Sequence, residues 1–164
     1  MDPIAVASRI VLALQALPAR QVDTRIPSIV SFGAVHGGVR NNIIPDEVEL
    51  LGTIRALSPE VQEALHAKVR RTAEKIAESA GATAEVEIER GYPITWNAPE
   101  LTRRVRPVLR RVAGADRFVE PLPWTGAEDF SYFQQRVPGV YFFLGIVPPD
   151  VALEEAAPNH SPYF

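Results

Sequence analysis

The chain has 164 residues, a length that suits one ordinary domain or two small ones. Apolar residues make up 46% and charged residues 23%, as in ordinary globular proteins, which argues against intrinsic disorder. The formal net charge of −3 argues against a nucleic-acid-binding protein, because such proteins usually carry a basic excess. The sequence contains no cysteine, which excludes disulfides and thiol nucleophiles within it.

The longest apolar run, residues 137–147, is too short to cross a bilayer. Residues 1–20 lack a basic region followed by an apolar block and a cleavage site, so the sequence predicts no signal peptide. We therefore expect a cytoplasmic protein with no membrane partner.

The first predicted element is a helix that begins at Pro3, has Asp2 as its N-cap and ends at Pro18. Apolar residues recur along it at helical spacing: Ile4, Ala7, Val11, Leu14 and Leu17. A strand over residues 28–35 follows a polar loop. Residues 47–56 alternate with period two and predict a second, half-buried strand.

Ser58 and Pro59 form a typical helix start, and Gly81 is the expected end of that helix. Residues 84–89 then alternate between small or apolar residues and glutamates, which predicts a half-exposed strand. This order indicates an α+β sandwich with helices on one face of an antiparallel sheet. It matches a ferredoxin-like β-α-β-β-α-β unit that lacks its first strand, and we expect the chain to be truncated there.

A boundary is predicted near residues 92–98, after which Asn97 and Glu100 suit a capping box for the next helix. Further elements expected are a short strand over residues 117–120, a short helix over 128–135 and an apolar strand over 140–146. These elements are too few for an independent domain, because an apolar strand of this kind needs neighbours on both sides.

Few residues are candidates for chemistry. His160 follows the apolar strand in a short polar motif, where it suits either a metal ligand or a surface histidine. Glu128 and Asp129 form an acidic pair that suits metal or substrate-ammonium binding, or alternatively helix capping. For His36 and His66 we expect a turn position and an exposed helical position.

Two further residues lie in the first half of the chain. Arg55, on the polar face of its strand, suits bidentate binding of a carboxylate or a surface cross-strand pair. Asn42 lies in a predicted turn, where its amide suits either the turn itself or hydrogen bonding to a substrate.

Taken in order, six short motifs resemble one family. It is the amidohydrolase and metallopeptidase family of hippurate hydrolase, N-acyl-amino-acid amidohydrolases, auxin-conjugate hydrolases and N-acetyldiaminopimelate deacetylase. The matching motifs span essentially the whole chain: Asp2-Pro3-Ile4 with Leu14-Gln15; Gly37-Gly38 with Asn42-Ile43-Ile44-Pro45-Asp46; Gly52-Thr53-Ile54-Arg55; Gly126-Ala127-Glu128-Asp129-Phe130; Pro138-Gly139 with Phe143-Leu144-Gly145; and His160-Ser161-Pro162-Tyr163-Phe164.

The resemblance implies that residues 1–92 are the peptidase-dimerisation (lid) domain without its first strand. Residues 93–164 would be the C-terminal segment of an α/β catalytic domain. In that family two divalent metal ions share a bridging water that attacks the amide carbon, with a glutamate as general base. By resemblance His160 is a metal ligand, Arg55 and Asn42 contact the substrate, often across a dimer, and Glu128 forms part of the pocket.

The family's general base, its other metal ligands and its His-x-Cys-Gly-His-Asp segment lie upstream of these motifs, so this sequence contains no catalytic residue of its own. The native metal stays open among zinc, manganese, cobalt and nickel. We expect a fragment of an amidohydrolase that acts on N-acyl amino acids such as hippurate, inactive by itself. The alternative is a non-catalytic dimerisation module related to the lid, and a homodimer through the lid is expected in either case.

Overall fold

A computed structural model describes residues 1–148, 151–152 and 154–163. In this part of the chain the elements are α1 Pro3–Gln15, α2 Leu17–Gln21, β1 Ser28–His36, β2 Glu49–Ala56, α3 Pro59–Ser79, α4 Pro99–Ala113 and α5 Phe130–Gln134. None of the helices described is both long enough and apolar enough to cross a membrane.

Helix α1 begins as the sequence predicts, because the Asp2 carboxylate accepts a hydrogen bond from the Ile4 amide at 2.9 Å. Its predicted end is wrong. Pro18 lies in the first turn of α2, where proline is tolerated since that turn needs no amide donor. The buried face is also rotated from the predicted one, since Ile4 is exposed while Val6 and Ile10 are buried beside Leu14.

Strands β1 and β2 form a two-stranded antiparallel sheet in which Ser28 lies opposite Ala56 and His36 opposite Glu49. The register shifts between Phe32 and Ala34, so Gly33 is the extra residue of a β-bulge. The prediction of a half-buried second strand is confirmed, with Leu50, Ile54 and Ala56 on the buried side.

The core lies between one face of this sheet and helices α1 and α3. Helix α3 begins at a Ser58 cap, whose hydroxyl accepts a hydrogen bond from the Val61 amide at 3.3 Å, and it ends before Gly81, which has a positive φ of 71°. The buried apolar side chains that form one cluster are Val6, Ile10, Leu14, Leu17, Val30, Ala56, Leu65, Val69, Ala73 and Ala77. This packing is the main source of stability in the first half of the chain.

The strand predicted over residues 84–89 is not formed. Ala82, Ala84 and Val86 still pack on the core, and their neighbours are exposed, so the alternation of burial is the predicted one. The segment lacks a strand beside it in the described part of the chain, and a strand needs a neighbour to complete its ladder. Arg70 of α3 instead donates a hydrogen bond to the Val86 carbonyl.

The two helices predicted after residue 92 are present as α4 and α5. The strands predicted over residues 117–120 and 140–146 are not formed. In the second of these segments the side chains of Phe142, Phe143, Leu144 and Ile146 are exposed. Helix α4 contains no buried residue. These segments carry strand-like or amphipathic sequence, but the described residues supply no apolar face to cover them. The domain boundary near residue 92 stays a prediction.

We predict that Leu65→Ala lowers the free energy of unfolding by about 2–5 kcal/mol, because Leu65 is 0% exposed and its loss leaves a cavity under α3. Leu122→Ala is the matched control, since Leu122 is 88% exposed, and its effect should stay within about 0.5 kcal/mol. Urea unfolding followed by circular dichroism measures both changes. Equal effects of the two substitutions would contradict this placement of the core.

Candidate functional site

Arg55 connects the sheet to a distant segment without regular structure, residues 124–127. It lies near the end of β2, and its Nη1 donates a hydrogen bond to the Thr125 carbonyl at 2.9 Å. The two residues are far apart in sequence, and the bond is partly buried. The alternative in which Arg55 pairs with an acid across the sheet is not seen: its cross-strand neighbour is Ile29. A guanidinium has five N–H groups, so this contact leaves donors for a ligand.

A cleft of about 690 Å³ lies beside Arg55. Its walls are residues 50–57 of β2 and the chain after it, residues 87–95, and residues 124–127, with Gln62 and His66 of α3 at one side. The Thr95 hydroxyl is buried and has no hydrogen-bond partner among the described residues. An unpaired buried hydroxyl is uncommon in proteins, so at this wall of the cleft a hydrogen-bond partner for Thr95 is lacking.

His66 is not the exposed helical histidine that the sequence predicts. It is half-buried and faces the cleft. Burial lowers its pKa, and the nearby Glu63 carboxylate partly offsets that change. The imidazole therefore favours its neutral form more strongly than a free histidine does. His36 is exposed, but it is the last residue of β1 and lies opposite Glu49, so the predicted turn position is wrong.

Glu128 follows directly after the segment, residues 124–127, that Arg55 contacts. Its carboxylate accepts a hydrogen bond from the Tyr141 hydroxyl at 2.7 Å, and its carbonyl accepts bonds from the Ser131 amide and hydroxyl. The Tyr141 hydroxyl holds the pKa of Glu128 below its usual range, and the same bond raises the pKa of Tyr141. Asp129 occupies the N-cap position of α5, as the capping alternative predicts, but its side chain makes no capping hydrogen bond.

Asn97 was missed as a site residue. The predicted capping box is wrong, since Ala98 is the N-cap of α4 and the Asn97 side chain lies elsewhere. Its amide accepts a hydrogen bond from the Tyr141 backbone N–H at 2.7 Å and donates one to the Tyr141 carbonyl at 2.8 Å. Tyr141 was missed too, because its segment reads as a uniformly apolar strand. A single hydroxyl within that segment was the available signal.

The other two predicted site residues lie apart from this group. Asn42 is exposed in a turn between β1 and β2, next to a hydrogen bond from the Ile43 amide to the Arg40 carbonyl at 3.3 Å. His160 is exposed and has a positive φ of 67°. Among the described residues no hydrogen bond or ion pair connects either of them to Arg55 or Glu128.

The left-handed backbone of His160 is uncommon for a residue with a Cβ. The Asn159 side chain accepts a hydrogen bond from the His160 amide at 3.1 Å, and the Ser161 amide bonds the Pro158 carbonyl at 3.0 Å, so the turn is held locally. Such conformations cluster at ligand sites and active sites. The last residue of the predicted motif, Phe164, lies outside the described residues.

Within residues 1–148, 151–152 and 154–163, no three His, Asp or Glu side chains come together in a group that could hold a metal ion. A structural or catalytic metal site needs about three or four protein ligands. The described donors therefore do not fit a complete metal centre, and His160 could supply at most one ligand to a centre completed by other residues.

Comparison with known proteins places these features in context. The family model described as "Peptidase family M20/M25/M40" matches residues 5–164. Thermostable carboxypeptidase 2 of Saccharolobus solfataricus is 42% identical over 146 residues, which cover 88% of this chain and 36% of the relative. N-acetyldiaminopimelate deacetylase of Streptococcus suis is 36% identical over 149 residues, which cover 90% of this chain and 40% of the relative.

Among solved structures, the YXEP protein of Bacillus subtilis is similar to this chain with a TM-score of 0.69 and 31% identity. The likeness covers 85% of this chain and 35% of that protein, which is described as a dinuclear metal binding peptidase from the M20 family. The chain thus spans a little over a third of the length of the curated relatives it matches.

We predict that Arg55→Met lowers the free energy of unfolding, because it removes the partly buried donor to the Thr125 carbonyl. A hydrogen bond to a charged group contributes about 1.5–3 kcal/mol, and the loss should be about that size. Arg71→Met, on the exposed side of α3, is the control and should change stability by no more than about 0.5 kcal/mol. Urea unfolding followed by circular dichroism measures both changes. A loss from Arg55→Met no larger than that from Arg71→Met would contradict the contact.

Proposed function

Because this chain belongs to peptidase family M20/M25/M40, whose model matches residues 5–164, we propose that it is part of a metal-dependent amidohydrolase. The bond cleaved is the amide of an N-acyl amino acid, of which hippurate is the simplest aromatic example. The observation that carries this proposal is Arg55 at the wall of the cleft, hydrogen-bonded to the segment that leads into Glu128. It supports the substrate class because an N-acyl amino acid presents a free carboxylate.

Arg55 is the group that we assign to that carboxylate. The guanidinium bonds carboxylates through two parallel N–H groups, which fixes orientation as well as charge. Its bond to Thr125 orients the side chain before a ligand arrives. We assign Asn42, in the exposed turn between the strands, to a second contact with the substrate. In a dimer, Asn42 would make this contact in the site of the partner subunit.

His160 is the one metal ligand that we assign to this chain. Its exposed ring and left-handed backbone suit a residue that turns toward a centre built with other parts of the protein. When bound, a divalent metal pair lowers the pKa of water and polarises the amide carbonyl. Since one ligand holds no metal pair, we expect the chain alone to hydrolyse no hippurate.

The domain assignment is part of the proposal. Residues 1–92 hold the packed core beneath α1 and α3, as expected for a lid, whereas residues 93–164 expose apolar side chains that suit a larger catalytic domain. The proposed catalytic base lies in neither segment. Glu128 follows directly after the cleft wall formed by residues 124–127, and we assign it to the edge of the pocket.

We predict that a chimera restores activity. In the chimera, the matching 146 residues of the S. solfataricus relative are replaced by this chain, and the relative supplies the rest of its own length. The chimera should hydrolyse hippurate, lose that activity with a chelator and regain it with zinc, manganese, cobalt or nickel. An inactive but folded, metal-loaded chimera would contradict the proposed function. Hydrolysis by the chain alone would contradict the expectation that the chain is inactive by itself.

Within the chimera, His160→Ala should lower kcat by at least about a hundredfold, since even the partners of metal ligands cost 10–100-fold when lost. His36→Ala is the matched control, exposed at a strand end, and should change kcat by no more than about twofold. Arg55→Lys should raise KM by about tenfold with little change in kcat, because a lysine cannot form the bidentate contact.

The alternative function is a non-catalytic association module that pairs through the lid. It is favoured by a groove of about 420 Å³ between α1 and the sheet, lined in part by Ile4, Leu12, Val35 and Val48. Leu12 is 71% exposed there, and Ile4 and Val35 are also exposed. Exposed apolar side chains grouped in this way are typical of protein interfaces.

We predict that the chain forms a homodimer through this groove and that Leu12→Lys shifts it to monomer, because a charge buried opposite apolar groups is costly. Val112→Lys, exposed on α4, is the control and should leave the dimer intact. Analytical ultracentrifugation measures the mass. A dimer in both variants would place the interface elsewhere. If the chain forms a dimer that melts cooperatively and the chimera is inactive, the two results together favour the association module.

A further inference from the structure

Tyr141 and Glu128 make a side-chain contact that the assigned roles do not use. The tyrosine hydroxyl lies 2.7 Å from Glu128 Oε2, and the bond is partly buried. A phenol that donates to a carboxylate makes a short, charge-assisted hydrogen bond, which is stronger than a bond between neutral groups. The carboxylate therefore has a fixed position rather than the free rotation expected of a surface glutamate.

Asn97 fixes the main chain of Tyr141 on both sides of the residue. It accepts from the Tyr141 N–H at 2.7 Å and donates to the Tyr141 carbonyl at 2.8 Å, as a neighbouring strand would. The adjacent Ala98 amide bonds the Gly139 carbonyl at 3.0 Å and extends this pairing. Gly139 is needed at that place, since a Cβ would meet Gln134 Cγ at 2.9 Å.

The ring of Tyr141 is fixed as well. It packs against Phe130 with ring centroids 5.9 Å apart and against Phe143 with centroids 5.5 Å apart, the latter edge to face. Phe130 belongs to the helix that follows Glu128, so the same local structure sets both ends of the hydrogen bond. Backbone, ring and hydroxyl are thus each held by a separate contact.

We propose that Tyr141 is a positioning residue that holds the Glu128 carboxylate in place at the edge of the substrate pocket, and that Asn97 acts through Tyr141. The inference rests on the proposed function of Glu128 as part of that pocket. Neither residue needs to touch substrate. Tyr141 fixes the position of the negative charge on Glu128, and Asn97 fixes the position of the Tyr141 hydroxyl.

The charges around Glu128 support this assignment. The hydrogen bond from Tyr141 is the largest cause that lowers the Glu128 pKa, with Asp129 and the Phe130 amide as further partners. Because the folded-state pKa lies below the unfolded one, the contact is complete at neutral pH. It is lost as the pH falls through the folded-state pKa of Glu128.

The first test uses the full chain and the variant Tyr141→Phe, with carboxyl carbon NMR of Glu128 through a pH titration. Removal of the hydroxyl should raise the Glu128 pKa toward that of a free glutamate and leave the packing of the ring intact. Tyr132→Phe is the matched control, because Tyr132 is half-exposed and packs against Tyr92. An unchanged Glu128 titration in Tyr141→Phe would overturn the proposal.

A second variant, Asn97→Ala, keeps the hydroxyl and removes what fixes it. The Glu128 pKa should rise here too, and the Tyr141 amide should exchange faster with solvent. Thr102→Ala in α4 is the control for a general effect on that helix, since Thr102 bonds only its own helix through the Ala98 carbonyl at 2.8 Å. A Glu128 pKa that stays low in Asn97→Ala would remove Asn97 from the proposal and leave Tyr141 in place.

A third measurement links the contact to function in the chimera described above. Tyr141→Phe and Glu128→Gln should each raise KM more than they lower kcat, and the double variant should be no worse than Glu128→Gln alone. Additive effects would overturn the positioning role even if the chimera is fully active. If the chimera is inactive, the proposed function fails, and the titrations still decide whether Tyr141 holds Glu128.

Discussion

The packing of α3 across one face of a two-stranded sheet is the interaction on which the first half of the molecule depends. A pair of strands is marginal in water unless one face is covered. Leu65, Val69, Ala73 and Ala77 supply that cover with a narrow stripe of apolar side chains, and α1 completes it. The sheet in turn places Arg55 at the opposite, more open face.

Side chains supply the hydrogen bonds of the extended segments outside the sheet. Arg70 donates to the Val86 carbonyl, Arg55 to the Thr125 carbonyl, and Asn97 pairs with both main-chain groups of Tyr141. Backbone polar groups need partners wherever water is excluded, and long side chains can replace a ladder locally. The polar residues of the candidate site therefore also hold its walls in place.

This dual use explains what could be predicted from the sequence and what could not. Helix α3 was predictable because cap, period and stop signal agree within the segment, as at Ser58 and Gly81, whereas for α1 the cap was right and the predicted end at Pro18 was wrong. Pattern alone failed for residues 84–89 and 140–146. A period of two or an apolar run indicates which side chains can be buried. A strand also needs a neighbouring strand, and whether one is present depends on the tertiary structure.

The same limit applies to the candidate site, where residues could be predicted and their tertiary contacts could not. Arg55 and Glu128 were singled out from motifs, whereas the contacts that orient them involve Thr125 through its backbone and Tyr141 across a distant segment. Asn97 shows the limit most clearly, because its position suits a helix cap and its side chain serves another element instead. Capping is a local preference of about 1 kcal/mol, and two hydrogen bonds to a partner main chain outweigh it.

The segment from Thr125 to Glu128 is held at each end by a different part of the chain: the Arg55 guanidinium bonds the Thr125 carbonyl, and the Tyr141 hydroxyl bonds the Glu128 carboxylate. In the proposed function this polarity discriminates between ligands. A carboxylate is attracted to Arg55, while a second carboxylate placed near Glu128 is repelled, and a positively charged group there is favoured. Tyr141 increases this discrimination between ligands, because a carboxylate that is fixed in place repels or attracts a ligand at a defined position. A mobile glutamate would instead move away from an unfavourable ligand.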